Sequence, residues 1–450
     1  MIWPVEKVSR TVFCLLAFPS CHPAMPNPVD DAPVGPGKIV LPPDSDDSSE
    51  SKPVKPNTRV HKLRRVFCAI AVCCTLALIT IWFARDADKG GGHPGLEAPL
   101  PDVTVADDVR LKPYQTPENA NYCADWFAGP GTGDIASVSF ELPTAADLLF
   151  FLSRGPSSGH IDIVRRPPPN DWRGPVEVNV TARYHERDDV ARTKVCRMGA
   201  ENEHGVLLWA EPRHPHRDPK RDVHFNITCR GFLDIWSSKS FEVVRLKTSN
   251  APIHHGSLEG RAGFFRTSNA KVAGGFAGYE YAVQTSNAPI EATAFMFGET
   301  AGSESRVQLK TSNGAITAYL GIISDFANNT LRTIVETSNA PLTLQQIWMT
   351  SDAGFFLNAT TSAACATLRL NPIYEGPYDL QTTVALARVI ETEADDPSRK
   401  GRRRTVTRTR TGHHAQGDIY WSHDGKPAEG FERGLVKIAT TIYPVELLLG

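Results

Sequence analysis

The residues that could carry chemistry are scattered acids and two pairs of adjacent histidines. Hydrolysis of a glycosidic bond needs two carboxyl groups held close together on one face, and the acids of the second half of the chain do not recur in register. They are Glu259, Glu291, Glu299 and Glu304, with Asp325 and Asp352 isolated. The sequence also lacks a nucleotide-binding glycine loop, a nucleophile elbow and a paired CxxC motif. We therefore expect no catalytic residue, no cofactor and a protein that is not an enzyme.

The histidine pairs, His254–His255 and His413–His414, are poor joint metal ligands. Neighbouring residues of a strand point to opposite faces, so the two rings of a pair cannot reach the same ion. We expect histidines in surface loops and no metal site.

A Thr-Ser-Asn motif occurs five times, in KTSNAPI, RTSNAKV, QTSNAPI, KTSNGAI and ETSNAPL. Its threonines and asparagines are Thr248 and Asn250, Thr267 and Asn269, Thr285 and Asn287, Thr311 and Asn313, and Thr337 and Asn339. The spacings of 19, 18, 26 and 26 residues are typical of repeat proteins, in which each unit buries its core against its neighbours. Since alternating strands flank each motif and no helix separates them, we predict a β-solenoid with the motifs as its corners.

The residue types of the motif suit a stacked corner. Asn tolerates left-handed backbone geometry, and corners stacked about 4.8 Å apart would let asparagine amides form a hydrogen-bonded ladder. Pro252, Pro289 and Pro341 follow three of the motifs, so the N–H of that position is not needed for the ladder. The alternative for the motif is a row of hydroxyl and amide groups that binds a glycan or a partner protein.

Two degenerate copies extend the array. TTSAACATL begins at Thr360, and VKIATTIYPVELLL near the C-terminus has Ile442 where the asparagine of the motif is expected. Because terminal repeats cap a stack and are atypical, we predict that the second of these copies is the terminal unit.

Residues 134–245 precede the repeats and contain short alternating apolar runs separated by Pro, Gly and Asp, which indicates strands. We expect a β-rich region there, either a small sandwich or the irregular first coils of a solenoid that fills residues 246–450. Cys123, Cys196, Cys229 and Cys365 make an even set, compatible with two disulfides of unknown connectivity. We would test Cys196 with Cys229 first, since they lie in neighbouring predicted strands.

The segment VFCAIAVCCTLALITIWFA, residues 66–84, is uncharged and nearly all apolar, and about 20 such residues span a bilayer as a helix. Basic RVHKLRR precedes it, so the positive-inside rule places residues 1–65 in the cytosol as a disordered tail. Residues 1–24 are either a true start with a faint signal-like run or a mis-assigned start. After a linker at 85–133, the rest of this type II single-pass membrane protein is extracellular or lumenal. Sequons on that side predict glycosylation at Asn179, Asn226, Asn328 and Asn358.

The net charge of −2 gives no reason to expect a nucleic-acid partner. One strong basic run, SRKGRRRTVTRTR, lies in a predicted loop at 397–417. Three interpretations compete for it: a flexible excursion between coils, a dibasic processing site, or a patch that binds anions.

The five motifs resemble the "putative-adhesin" repeat domains of bacteria and fungi, in which TSNG or TSNAPI units recur along a β-solenoid. The whole arrangement is similar to that of uncharacterised fungal (basidiomycete) single-pass membrane proteins, which share the tail, the helix, the β region, the repeats and a GRRR-like stretch. The resemblance spans the chain from about residue 60 onward. It implies adhesion and no particular reaction.

We thus expect a non-enzymatic, membrane-anchored, adhesin-like interaction protein with a glycan or protein ligand. The alternative is a carbohydrate-active enzyme built on a β-helix and acting on a polysaccharide.

Overall fold

The computed structural model describes residues 114, 116–128, 135–143, 146–155, 158–165, 176–184, 190–211, 224–231, 241–324, 326, 328–350, 353–427 and 434–450. The predicted cytosolic tail, the signal-like start and the membrane helix at 66–84 lie outside these residues. Within the described ranges, no helix has the length and apolar character needed to cross a bilayer.

The described residues are mainly strands, which confirms the all-β class. A short 3-10 helix at Pro117–Asn119 precedes them. The strands before the repeats are β1 (Tyr122–Ala124), β2 (Phe127–Ala128), β3 (Ile135–Leu142), β4 (Leu148–Arg154), β5 (Ser158–Arg165), β6 (Val176–Arg183), β7 (Thr193–Ala200), β8 (Glu203–Ala210) and β9 (His224–Gly231).

The remaining strands contain the repeats and the basic segment. They are β10 (Phe241–Lys247), β11 (Ile253–Arg266), β12 (Val272–Gly278), β13 (Glu280–Gln284), β14 (Ile290–Phe297), β15 (Glu304–Lys310), β16 (Ile316–Ile323), β17 (Thr330–Thr337), β18 (Leu342–Met349), β19 (Gly354–Thr361), β20 (Ala366–Leu370), β21 (Gly376–Gln381), β22 (Ala387–Glu391), β23 (Arg403–Val406), β24 (Thr409–Thr411), β25 (His414–Ser422), β26 (Gly434–Thr440) and β27 (Val445–Leu449).

All of these strands belong to one large mixed sheet, in which two long runs of parallel strands can be followed. Stack A runs β8–β4–β10–β11–β13–β15–β17–β19–β26–β21. Stack B runs β9–β5–β11–β12–β14–β16–β18–β20–β27–β22. The first half of β11 lies in stack B and its second half in stack A. Along the repeats, each Thr-Ser-Asn corner leads from a strand of stack A to a strand of stack B.

Alternation along each strand fixes which side chains face the interior between the stacks. Ile253, Val272, Ile290, Ile316 and Leu342 follow the five corners, are direct neighbours across stack B, and are buried. Burying each such side chain stabilises the fold by about 2 kcal/mol. A slip of one residue in any strand would turn its apolar set outward, so this row holds the register.

The region before the repeats is not a separate sandwich. Its strands β4 and β5 pair in parallel with β10 and β11, and β8 and β9 continue both stacks outward. These pairings fit the interpretation of residues 134–245 as the first coils of the repeat array. Antiparallel β7 and β1 then extend stack A, and antiparallel β6, β3 and β2 extend stack B.

The terminal repeat was wrongly assigned from the sequence. The C-terminal strands β26 and β27 lie inside the array, between β19/β20 on one side and β21/β22 on the other. The outermost unit is instead formed by β21 and β22, with a degenerate corner at Thr382-Thr383-Val384. Motif order along the chain could not reveal this, because parallel strands pair without regard to the length of the connection between them.

The disulfide prediction was also wrong. Cys196 is bonded to Cys123, because antiparallel pairing of β1 with β7 sets these two residues directly opposite each other. Cys229 lies in β9, which extends stack B, whereas Cys196 lies in the strand that extends stack A. Cys365 carries a free thiol.

His255 is buried rather than in a surface loop as expected from the sequence, while His254 is exposed on the same strand. Its ring stacks on Phe265 at 4.3 Å and meets Tyr281 edge-on. Its Nδ1 lies 3.1 Å from the Gly275 carbonyl oxygen, to which it donates, which leaves Nε2 to accept from the Tyr281 hydroxyl at 3.4 Å. Burial lowers the pKa of His255 to about 4, since an imidazolium would be desolvated here.

This buried histidine predicts loss of stability in acid. Its pKa in the folded protein is below the usual 6.5, so the stabilisation is complete above pH 6.5 and is lost as the pH falls toward 4. The loss amounts to about 3 kcal/mol of unfolding free energy. Denaturant unfolding at a series of pH values should show it, and His255→Phe should flatten the dependence between pH 4 and 6.5. The exposed His254→Phe is the control, and equal profiles for the two variants would contradict the assignment.

Candidate functional site

The corner motif is held first by main-chain hydrogen bonds. The carbonyl oxygen of Ser249 accepts from the N–H groups of Ser268 and Asn269, at 3.0 and 3.1 Å. The same pattern repeats from Ser268 to the corner of Asn287, and onward through the corners of Asn313 and Asn339. One serine carbonyl thus binds two N–H groups of the next unit at every step.

Asparagine side chains form a second ladder on the exposed side of the corner. Each Nδ2 donates to the Oδ1 of the asparagine in the preceding unit. The four bonds measure 2.8 Å from Asn269 to Asn250 and 2.7 Å for the pairs Asn287–Asn269, Asn313–Asn287 and Asn339–Asn313. The amide groups are therefore largely engaged with one another.

The threonine of the motif turns inward and is buried in all five copies. In the later copies its hydroxyl donates to a carbonyl of the preceding corner, as in Thr285 to Ala270 at 3.3 Å and Thr337 to Gly314 at 3.2 Å, whereas the Thr248 hydroxyl donates to the Ala251 carbonyl of its own corner. The main-chain hydrogen bonds of the position after the motif explain why proline is tolerated there. The carbonyls of Pro289 and Pro341 accept from the neighbouring unit, so this position uses its C=O and not its N–H.

We call the stacked Thr-Ser-Asn motifs the corner row. Apart from its serine hydroxyls, the corner row has few groups that could bind a ligand. Its threonines are buried, its amides bind one another, and its main chain is paired with the next unit. The arrangement favours the motif as a structural corner over the alternative of a binding row.

An exposed apolar surface lies elsewhere, on the outer face of stack B. We call Phe295, Tyr319, Ile323 and Trp348 the aromatic patch. Trp348 and Tyr319 are 58% and 43% exposed, Ile323 is also exposed, and Phe295 is half-buried. Large exposed apolar side chains that cluster mark an interaction surface more often than isolated ones do.

Gly321 forms the centre of the aromatic patch. It is the direct strand neighbour of Phe295 on one side and of Trp348 on the other. A Cβ at this position would lie 3.3 Å from the Cβ of Trp348 and 3.4 Å from Cδ1 of Phe295. A side chain at Gly321 would therefore crowd Trp348 and Phe295.

Neutral polar side chains border the aromatic patch. Thr293, Tyr319 and Gln345 are direct neighbours across three strands, and Thr317 and Thr343 form the adjacent outward row. All four polar residues are half-buried. The patch thus presents aromatic faces beside hydroxyl and amide groups, and the exposed Glu291 and Arg369, which have opposite charges, lie at the ends of these two rows.

The outer face of stack A carries charged pairs. Glu304 accepts hydrogen bonds from Arg306 at 2.7 Å and from Arg332 at 3.0 Å. Although burial opposes it, these two partners hold the pKa of Glu304 below its usual range. Burial raises the pKa of Glu280, a direct strand neighbour of Arg306. Two carboxyl groups of one face are thus shifted in opposite directions, and sequence reasoning missed Glu280 because no spacing rule singles it out.

The basic segment is an ordered meander rather than a flexible excursion. Strands β23 and β24 pair with β25, which pairs with β21 at the outer edge of stack A. Asp396 anchors its start, since its carboxylate accepts from the N–H groups of Ser398, Lys400 and Arg402. Despite partial burial, these bonds and the Arg402 guanidinium hold the pKa of Asp396 well below its usual range.

Three arginines of this meander are engaged within the protein. Arg402 bridges Asp396 and Glu375 at 3.1 and 3.2 Å. Arg404 lies over the Trp421 ring, and Arg408 pairs with Glu391. Arg399, Arg403 and Arg410 of the same segment are exposed, so the anion-binding patch and the dibasic processing site both stay predictions.

The predicted glycosylation sites lie in different surroundings. Asn328 is exposed at a turn, with a left-handed φ of 62° that asparagine tolerates. Asn358 and Asn179 are half-buried on β19 and β6, and Asn226 lies in β9. In the described part of the chain, no group of His, Cys, Asp and Glu could hold a metal ion.

Neither a protein-family model nor a curated protein sequence matches the chain. Three solved structures share similarity with it at low identity. A "putative cell adhesion protein" from Clostridium sporogenes is 8% identical, with 70% of this chain and 99% of that chain covered and a TM-score of 0.18. A "putative adhesin" from Bacteroides fragilis is 10% identical, with 70% and 97% covered and a TM-score of 0.27. A "putative lipid binding protein" from Parabacteroides distasonis is 9% identical, with 54% and 92% covered and a TM-score of 0.22. At TM-scores this low, the similarity carries no argument about fold or function.

The corner ladder makes a direct prediction about stability. Asn287→Ala or Asn313→Ala removes a side chain that bonds both neighbours, so each should lower the unfolding free energy by about 1 kcal/mol. Thermal unfolding would measure the change. Asn250→Ala is the matched control, because Asn250 accepts only one ladder bond, and its effect should be smaller. Unchanged melting temperatures for both interior variants would contradict a structural ladder.

Proposed function

We propose that the protein is a non-enzymatic, adhesin-like interaction protein. In this proposal the helix at 66–84 anchors it in a membrane, and the stacked units form a β-solenoid on the extracellular or lumenal side. The observation that supports the proposal most is the aromatic patch, because it exposes several large rings on a face that the fold itself does not need to keep apolar.

The chemistry of the aromatic patch suits a glycan. A sugar ring has an apolar face that packs on an aromatic side chain, and hydroxyl groups at its rim that need hydrogen-bond partners. Trp348 and Tyr319 supply the exposed rings, and Thr293, Thr343 and Gln345 supply neutral donors and acceptors beside them. Because the charged residues at the ends of these rows are one acid, Glu291, and one base, Arg369, we propose a neutral glycan as the ligand.

The position of the patch supports binding without rearrangement. β16 is paired on both sides over most of its length, and β18 is paired with β16 over most of its length but with β20 only from Leu342 to Gln345. Side chains on such strands lose little freedom on binding, so more of the contact energy appears as affinity.

One observation keeps the enzymatic alternative as a second candidate. Glu280 and Glu304 lie on one face of adjacent strands of stack A, and their pKa values are shifted up and down respectively. Two carboxyl groups on one face, one with a raised and one with a lowered pKa, have the residue types that an acid and a nucleophile or base need in glycoside hydrolysis.

A glycan array probed with the full-length protein in detergent distinguishes the interaction protein from the enzyme. The proposal predicts binding of a neutral glycan without turnover. Trp348→Ala together with Tyr319→Ala should weaken that binding by roughly tenfold or more, since each ring contributes about 1 kcal/mol.

Val384→Ala is the control, because Val384 is as exposed as Trp348 but lies at the far end of the stack. Depolymerisation of any bound polysaccharide that is abolished by Glu280→Gln would favour the enzyme. Binding that survives loss of both rings would contradict the proposed site.

A further inference from the structure

A row of threonines runs beside the aromatic patch on the outer face of stack B. Thr317, Thr343 and Thr367 are direct neighbours across β16, β18 and β20, and all three are half-buried. We call them the threonine row. Because neighbouring strands lie about 4.8 Å apart, the row repeats one side chain at every strand along the axis of the stack.

Within the described part of the chain, the three hydroxyl groups of the threonine row have no hydrogen-bond partner. The buried threonines of the corner row differ, since they bond to main-chain carbonyls, as Thr285 does to Ala270. Threonine suits an outward strand position in any sheet. The free hydroxyl groups therefore gain meaning from their place beside the aromatic patch.

A middle row lies between the threonine row and the side chains of Phe295 and Trp348. It consists of Thr293, Tyr319 and Gln345, which are direct neighbours across β14, β16 and β18. Among the described residues, the side chains of these three also have no hydrogen-bond partner. The exposed Tyr319 ring is thus flanked by free polar groups on both neighbouring strands.

The chemistry of this face changes along a strand and repeats across strands. On β16 the outward side chains pass from Thr317 through Tyr319 to Ile323, from polar to apolar. Across the strands, the threonine row offers the same hydroxyl group three times. A ligand built from identical units would meet the same groups at every step only if it ran along the axis of the stack.

The charges around the threonine row favour an uncharged ligand. Glu291 precedes the row and is paired with Lys271 at 2.6 Å. Glu446 follows it and is paired with Arg388 at 3.7 Å. Arg369 adds one base at the end of the middle row. A chain with a charge on every unit would gain no ion pair from the threonines between these ends.

The face is open, so it contacts a ligand from one side. Ligand pockets bury about 70–90% of a small molecule, whereas a single sugar on an open sheet would keep much of its surface in water. Several linked contacts can supply the affinity that a single contact lacks. An open face with repeated groups therefore suits a chain of sugars better than one sugar.

From the repeated hydroxyl groups and the open face, we infer that the ligand is a neutral polysaccharide chain that lies along the axis of the stack. Its sugar rings pack on Tyr319 and Trp348, and its hydroxyl groups bond to the threonine row and to Gln345. The contact covers β14, β16, β18 and β20, which span about 14 Å. The inference rests on the proposed neutral glycan, and it adds the length and direction of the ligand and the residue Thr367.

Titration calorimetry with the full-length protein in detergent tests the inference. The probes are linear, neutral oligosaccharides of glucose, of N-acetylglucosamine and of mannose, each as a disaccharide and a hexasaccharide. We expect at least one hexasaccharide to bind about tenfold or more tighter than its disaccharide, because it contacts more strands.

Thr367→Val separates the length of the ligand from its contact with the rings. Valine keeps the shape and strand preference of threonine, so the fold should persist, and circular dichroism would check this. The variant should weaken hexasaccharide binding about fivefold, through loss of one hydrogen bond, and leave disaccharide binding unchanged. Thr405→Val is the matched control, because Thr405 is also half-buried but lies in β23, outside stack B.

Ile323→Ser tests the other direction, since Ile323 is the last outward side chain of β16. A preference for the hexasaccharide that this variant abolishes, or that Thr367→Val leaves intact, would overturn the direction along the stack. Equal affinity for the two lengths would overturn the inference and leave the proposed glycan site. Failure of every probe to bind would overturn the neutral glycan itself.

Discussion

The rest of the structure depends on one repeated contact, the serine carbonyl that accepts two N–H groups from the next corner. The bond from Ser249 to the Ser268 and Asn269 amides, and its copies along the array, fix each unit at one strand spacing from the last. Because side chains alternate along a strand, fixing the corner also fixes every row beyond it. The inward rows then bury Ile, Val and Leu, and the outward rows become surfaces whose composition is free to vary.

That freedom explains how one repeat can present different surfaces. The corner row is polar and bonded to itself, the outer face of stack A carries ion pairs, and the outer face of stack B carries the aromatic patch. Gly321 lies at the centre of that patch, where a side chain would crowd Phe295 and Trp348. The last two units differ again, because Ile442 and Val384 replace asparagine at their corners.

Local features of the fold could be predicted from the sequence, and non-local ones could not. The strands, the corner role of Thr-Ser-Asn and the tolerated proline follow from residue types and spacing within about ten residues. The insertion of β26 and β27 between earlier units, the Cys123–Cys196 bond and the ordered basic meander depend on which distant strands pair. The prediction that His255 lies in a surface loop was wrong because the sequence does not show which face of the strand is buried, and its neighbour His254 is exposed. The aromatic patch was missed for the same reason, since its members come from three units and align only once the register is known.

Amide hydrogen exchange at the corners tests the central claim most directly. The asparagine side chains of the corners are exposed, yet the main-chain N–H groups of Asn269, Asn287, Asn313 and Asn339 bind serine carbonyls of the preceding unit. If those bonds hold the array together, these amides should exchange about as slowly as the amides of the adjoining strands and be released only when the array opens cooperatively. Exchange at the rate of an open surface turn, while the strands stay protected, would contradict the account.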